Sequence, residues 1–396
     1  MNSEKGQGVV KNEYKFLALI CLFDLAFLLI CAKFLSISYY EAVIYFNKND
    51  AIGYVVRAST ALLGQNDFAL RLPIVILHFV SILLIYKLSK FYLKNSTDRL
   101  ASVAVFILLP GTLASALIVN NAALCICVVL LLLYLFHLNL KLAFYIVLAL
   151  SFFLNSDFLV VYAAFFIYGI SKKDPHLIWS SALLFLATFY IFGFDTGGHP
   201  SGHFADTFGI FAAVFSPFVF FYFIYTIYRI WVKESKSPLW FVCVGAFCFC
   251  MVLSLRQKLE LEEFLPFCVI ATPLMVKMFF SNYRVRLPKF RVRYNILAGF
   301  LLISLLLNYL AIVLNPIFYN FLDEPKDHFA YKFQGTKELA KALKNAGYLL
   351  VDADDKEALR LKFYGILDGS KKLILDESGD IVVEIFGKKV ASYSLK

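Results

Sequence analysis

Long apolar runs alternate with short polar segments along this chain, and the apolar runs have the length of membrane spans. Runs near 16–33, 72–88, 102–118, 122–138, 177–194, 208–230, 239–255, 264–281 and 296–315 approach the roughly 20 residues that cross a bilayer core. Residues 142–170 hold two shorter runs broken at Asn155-Ser156-Asp157, which brings the expected number to eleven. The first long polar interruption, 34–73, has a pattern of its own. Ser38 and Glu41 stand at the spacing of a capping box, in which two side chains satisfy free N–H groups at a helix start, so a short helix is expected from Tyr39. Asp50 suits the N-cap of a second helix that ends at Gly64. Its Ile52, Val55, Val56, Leu62 and Leu63 predict a helix lying in the headgroup layer, with Arg57 opposing insertion. Beyond about residue 321 the pattern turns polar. A helix from Thr336 ending at Gly347, a strand over 348–351, a helix from Asp354 or Asp355 and strands at 372–375 and 381–386 predict a small α/β domain. The expected domains are therefore 1–320, with a first outer loop at 34–71, and 321–396.

Composition agrees with the pattern. The 396 residues are 61% hydrophobic and 17% charged, with 43 Phe and 23 Tyr, more apolar surface than a water-soluble domain buries. The fold class expected is a polytopic α-helical membrane protein of about eleven transmembrane helices with a small C-terminal α/β domain. An odd number of spans puts the termini on opposite sides. With the N-terminus cytoplasmic, inner segments hold nineteen Lys and Arg and outer loops hold six, which is the bias that orients membrane proteins. After Pro316 thirteen basic residues balance thirteen acidic ones, so the net charge of +10 belongs to the membrane part. It reads as topology, with no nucleic-acid partner. The eight cysteines lie in or beside apolar runs and read as small buried hydrophobes, not as a disulfide framework or zinc site. The first apolar run lacks a small-residue cleavage site and reads as an uncleaved span.

The candidate chemistry lies in the loops. Glu41 either completes the capping box or acts as a carboxylate on a hydroxyl acceptor or a sugar. Arg71-Leu72-Pro73 reads as a snorkelling anchor followed by a helix-start proline. In Arg256-Gln-Lys-Leu-Glu-Leu-Glu-Glu263, either a solvated turn is formed or Arg256 and Lys258 pair with a lipid phosphate, and a helix would put Glu260 and Glu263 on one face. His199 and His203 are four apart, but Gly198, Pro200 and Gly202 oppose the helix that would bring them together on a metal. Asp24, inside the first span, is expected to pair within the bundle.

Several motifs share an order and spacing with a known family. They are Tyr40-Glu41-Ala-Val-Ile-Tyr, Phe68-Ala-Leu-Arg71-Leu72-Pro73, Ser216-Pro217-Phe218, and Ser254-Leu-Arg-Gln-Lys258 followed by Phe264-Leu-Pro266. In this respect most of the chain resembles the glycosyltransferase C superfamily, in its protein O-mannosyltransferase and lipid A aminoarabinose transferase branch (glycosyltransferase family 39-like). The resemblance implies an inner-membrane enzyme with a polyprenyl-phosphate-linked sugar as donor, membrane lipids around it and an outer-face glycan, lipid or protein as acceptor. It implies Glu41 as general base with Asp50 and Asp67 in reserve, and Arg71, Arg256 and Lys258 at the donor phosphate. Tyr40, Asn121, Glu260 and Glu263 would face the sugar or acceptor. No cofactor is implied, and a divalent metal and an envelope protein partner stay open. The chain departs from the family where Tyr40 replaces the first-loop aspartate, where Asn120-Asn121 replaces an aspartate, and where a Lys-Pro-Pro segment is missing. Two other readings therefore stand beside the enzyme: a non-catalytic relative that binds lipid-linked sugars or scaffolds envelope assembly, and a lipid-linked sugar transporter.

Overall fold

The computed structural model describes residues 2–193, 202–256, 264–322, 324–376, 378–385 and 387–396. In chain order its helices are α1 (Asn2–Phe34), α2 (Tyr39–Phe46), α3 (Ala51–Leu63), α4 (Asp67–Tyr92), α5 (Ser96–Leu108), α6 (Pro110–Leu117), α7 (Ala122–His137), α8 (Lys141–Leu150) and α9 (Leu159–Lys172). They continue with α10 (Pro175–Phe192), α11 (Phe204–Phe215), α12 (Pro217–Lys233), α13 (Pro238–Leu253), α14 (Pro266–Val269), α15 (Thr272–Val285) and α16 (Pro288–Val313). The C-terminal part adds α17 (Thr336–Asn345), β1 (Leu350–Asp352), α18 (Asp355–Phe363), β2 (Leu367–Leu375), β3 (Ile381–Ile385) and β4 (Lys388–Leu395). The chain forms two compact units. One holds 1–24, 76–116 and 121–309; the other holds 25–75, 117–120 and 310–396.

Nearly every apolar run becomes helix, but fewer helices than expected have spanning length. Among the described residues four do, at Asn12–Phe34, Asp67–Tyr92, Pro175–Phe192 and Pro288–Val313, or six if two bent pairs each make one span. A polytopic helical architecture is thus present while eleven full spans are not shown among the described residues; several runs form helices of 10–17 residues, and two are bent at prolines. The run read as 102–118 bends by 62° between α5 and α6, because Leu109 precedes Pro110 and is held extended at ψ 127°. The run read as 208–230 bends by 101° at Ser216-Pro217, where Ser216 has φ 70°. That left-handed backbone is held by side-chain bonds, Ser216 Oγ lying 3.0 Å from Ser304 Oγ and accepting from Asn308 Nδ2 at 2.8 Å. The run at 264–281 divides into α14 and α15. The break expected at Asn155-Ser156-Asp157 is present, with Asn155 accepting the Asp157 N–H. Asp24 is buried and paired, its two oxygens meeting His78 Nε2 at 3.0 Å and the Tyr309 hydroxyl at 3.2 Å.

In the second unit both short helices of the first loop form where their caps predict. Ser38 and Glu41 make the complete capping box of α2, and Asp50 caps α3 through Gly53 N–H. Arg57 folds back and donates to the Tyr45 and Lys48 carbonyls at the end of α2, at 3.0 and 2.8 Å, satisfying acceptors that a helix C-terminus leaves open. Ile52 and Val56 are buried, so only part of the apolar set of α3, including Val55, Leu62 and Leu63, faces outward. α4 starts five residues before the run that predicted it, so Pro73 lies inside the helix instead of at its start. A proline there leaves the carbonyl four residues back without its partner. The Ser59 hydroxyl takes that place, donating to Ala69 O at 2.7 Å.

The C-terminal sheet has the order β1-β2-β4-β3, with β1 parallel to β2 across α18 and the other pairs antiparallel. Ile381, Val383 and Ile385 alternate inward along β3, and the first two pack with Leu339 and Leu343 of α17 and Leu361 of α18. Gly369 is required because β1 crosses so close that a Cβ there would stand 2.6 Å from the Leu350 carbonyl carbon. The last strand, β4, has no counterpart in the sequence expectation. Its Lys388-Lys389-Val-Ala-Ser-Tyr-Ser-Leu395 is largely polar and pairs with both β2 and β3.

Ser38→Ala removes the side-chain half of the capping box and is expected to destabilise the protein by about 1 kcal/mol. Thermal unfolding in detergent checks this, with a lower midpoint as the expected outcome.

Candidate functional site

The first loop and the C-terminal segment meet at Asp67, the ion-pair partner of a buried arginine, Arg71. Arg71 projects from the first turns of α4 and is 1% exposed. Its Nε donates to Leu117 O at 3.0 Å and its Nη2 to Ser36 O at 3.1 Å. Nη2 also reaches both oxygens of Glu41, at 3.4 and 3.3 Å, and Nη1 lies 3.5 Å from Asp67 Oδ1. A planar fork of five donors suits such a ring of acceptors, and a lysine would not replace it. The snorkelling role expected of Arg71 is therefore not the one it has.

Glu41 is fully buried. Its Oε2 accepts the Ser38 N–H at 2.8 Å and its Oε1 the Val119 N–H at 3.0 Å, in addition to the guanidinium. One carboxylate thus closes the capping box, neutralises Arg71 and fixes the segment after α6. Asp67 is the second acid of the cluster. Its Oδ1 accepts from the Tyr364 hydroxyl at 2.7 Å and its Oδ2 pairs with Lys337 Nζ at 2.9 Å. The Tyr364 oxygen in turn accepts the Ile37 N–H at 2.9 Å. Burial, with Asp67 beside it, pushes the Tyr364 phenol above its ordinary range, which keeps it a donor to Asp67. Arg360 adds a bond to Ile37 O at 2.8 Å, and Gln65 donates to Phe363 O at 2.8 Å.

Glu338, on the first turn of α17, is the carboxylate of this region with spare capacity. Its Oε2 is buried without a hydrogen-bond partner, and burial raises its pKa above the usual carboxylate value, with Asp67 adding in the same direction. A raised carboxyl beside a cation, here Lys337 with its side chain 39% exposed, is a pattern found at functional sites. Lys337, Glu338 and Tyr364 were not expected at the site. Lys337 and Tyr364 lie about 300 residues from the loop they contact, and no local spacing signals such a pairing.

The remaining candidates are placed as follows. Tyr40 is exposed on α2, and Asp50 is occupied through Oδ1 in capping α3. Asn121, in the other unit, stands at the N-cap of α7 with its Oδ1 buried and unpartnered. Arg256 is exposed at the end of the segment after α13. Lys258, Glu260, Glu263 and His199 lie outside the described residues. His203 Nδ1 lies 3.2 Å from Asp206 Oδ2. Among the described residues no three His, Cys, Asp or Glu side chains group as metal ligands.

Residues 51–194 match the family model described as dolichyl-phosphate-mannose-protein mannosyltransferase. The chain is similar in fold to ArnT from Cupriavidus metallidurans, whose crystal structure holds undecaprenyl phosphate, at a TM-score of 0.56, 9% identity, and coverage of 89% of this chain and 85% of that one. No curated protein matches its sequence. The matched segment contains Asp67 and Arg71 and begins downstream of Tyr40 and Glu41, so the departure at Tyr40 falls outside it.

Arg71→Ala would leave Glu41 buried without its counter-ion and is expected to cost about 3–5 kcal/mol. The double variant Arg71→Ala with Glu41→Gln should recover part of that loss. Unfolding midpoints of the three proteins in detergent check this.

Proposed function

We propose that this protein is a multi-pass glycosyltransferase of a cell inner membrane that moves a sugar from a polyprenyl-phosphate carrier to an outer-face glycan, lipid or protein. In this reading the N-terminus is cytoplasmic and residues after 321 are extracytoplasmic. The observation that carries it is the match of 51–194 to a family of lipid-phosphate-sugar transferases. The likeness in fold to ArnT supports a carrier of the polyprenyl-phosphate class.

Transfer by such a protein needs a base within reach of the acceptor hydroxyl and a cation at the departing phosphate. The acceptor oxygen bonds the anomeric carbon as its proton passes to the carboxylate and the bond to the phosphate oxygen breaks. Glu41 is the proposed base, with Asp50 and Asp67 in reserve. Arg71, Arg256 and Lys258 are proposed for the phosphate, and Tyr40, Asn121, Glu260 and Glu263 for sugar or acceptor. The bonds around Arg71 give this scheme a specific form. Arginine binds phosphate in the same forked geometry as carboxylate. A donor phosphate that draws the guanidinium from Glu41 would free lone pairs on the carboxylate at the moment the donor arrives.

One observation favours a second reading. Both Glu41 oxygens are engaged and the residue is fully buried, as a purely structural carboxylate would be. A non-catalytic binder of lipid-linked sugars would keep this arrangement unchanged.

Purified protein in nanodiscs, supplied with radiolabelled polyprenyl-phosphate sugars and an envelope extract as acceptor, separates the two. The enzyme reading expects transfer by wild type, a loss of about 10²-fold or more in Glu41→Gln with donor binding retained, and weaker donor binding in Arg71→Lys. Binding by wild type with no transfer establishes the non-catalytic reading.

A further inference from the structure

The turn between α15 and α16 reads Arg284-Val-Arg-Leu-Pro-Lys-Phe-Arg-Val-Arg293, cations interleaved with apolar residues. Val285, Leu287, Phe290 and Val292 are 87%, 68%, 51% and 60% exposed. Large apolar side chains standing out from a turn at the end of a spanning helix have the headgroup and acyl boundary as their solvent. Arg284 is committed to Asp98, donating to both carboxylate oxygens at 2.6 and 2.7 Å. Arg286, Lys289, Arg291 and Arg293 are not: among the described residues no carboxylate pairs with them, and the sequence has no Asp or Glu from 264 to 322.

These cations lead into the helix bundle. The Arg286 guanidinium lies 4.3 Å from the centre of the Tyr294 ring, and that of Arg291 5.5 Å from Tyr283. Both rings stack on Phe279, at 5.2 and 6.2 Å. Phe279 is a wall of an open apolar cavity of about 130 Å³, lined also by Val105, Tyr222, Ala298 and Leu301 from α5, α12 and α16. An aromatic column thus joins a cationic mouth to a hydrocarbon-lined space, complementary to an amphiphile with an anionic head. The bias of basic residues toward one side of a membrane accounts for the cations. It accounts for neither the column, the cavity nor the exposed apolar row.

We infer that this end of α15 and α16 binds an anionic glycerophospholipid, its headgroup phosphate held by Arg286, Lys289, Arg291 and Arg293 and one acyl chain entering the cavity. Four cations interleaved with an exposed apolar row match the charge density of an anionic leaflet, whose bulk lipids are glycerophospholipids. This inference stands independently of the proposed transferase activity.

Native mass spectrometry of the delipidated full-length protein in detergent tests it, with dioleoyl phosphatidylglycerol and dioleoyl phosphatidylcholine as probes. Phosphatidylglycerol is expected to bind roughly tenfold or more tighter, with a loss of about fivefold for each of the four cations changed to Gln. Ala298→Phe, which fills the cavity and leaves the charges, should weaken binding of the same lipid. If the fourfold variant does not fold, Lys289→Gln and Arg293→Gln singly, both at exposed side chains, give the same readout. Equal affinity for the two lipids, affinity unchanged by these variants, or a preference for undecaprenyl phosphate over phosphatidylglycerol at this turn would overturn the inference.

Discussion

A guanidinium buried from water has to be surrounded by acceptors, and the second unit of this protein is built around meeting that demand for Arg71. The acceptors come from Ser36 and Glu41 in the first loop, Asp67 one turn earlier in α4, and Leu117 at the end of α6. Asp67 passes the network on to Tyr364 and Lys337, near the other end of the chain. Each member is paired at the expense of leaving another uncompensated if it is lost, so the network acts as one piece. The loop is thereby held as structure, with short capped helices and bonded turns.

That arrangement changes how Glu41 is understood. A capping role and a catalytic role were separate readings of one residue, and the geometry joins them to a third, the counter-ion of Arg71. A carboxylate engaged by an arginine has lone pairs occupied, and they become available when a phosphate takes the arginine away. Donor arrival and base exposure would then be one event. The chemistry of polyprenyl-phosphate transfer, in which phosphate is the leaving group, supplies the competitor this requires.

Much of the first loop was legible in the sequence because its signals are local. Ser38 and Glu41, Asp50 and Gly64 are capping residues that act within four positions, and their helices begin and end where they predict. The apolar runs also predicted helices, and the polar turn at Asn155 predicted a break. The number of full spans was less legible, because hydropathy averages over Pro110 and Pro217, whose effect is to bend the backbone without changing its polarity. β4 escaped because alternation is weak in a polar strand whose place is fixed by two neighbours. At the candidate site, Arg71 was noticed for its motif, but its burial was not foreseen. Its partner Asp67 is held in turn by Lys337 and Tyr364, brought there by tertiary packing that no spacing encodes.

The central claim is that Arg71 makes the first loop and the C-terminal segment a single cooperative unit. Hydrogen–deuterium exchange of Arg71→Lys, which keeps the charge and loses the fork, tests it most directly. The account predicts that protection falls together in α2, at 36–46, and in α17 and α18, with the helices of the other unit unaffected. Faster exchange confined to the first turns of α4, with α18 as protected as in wild type, would contradict it.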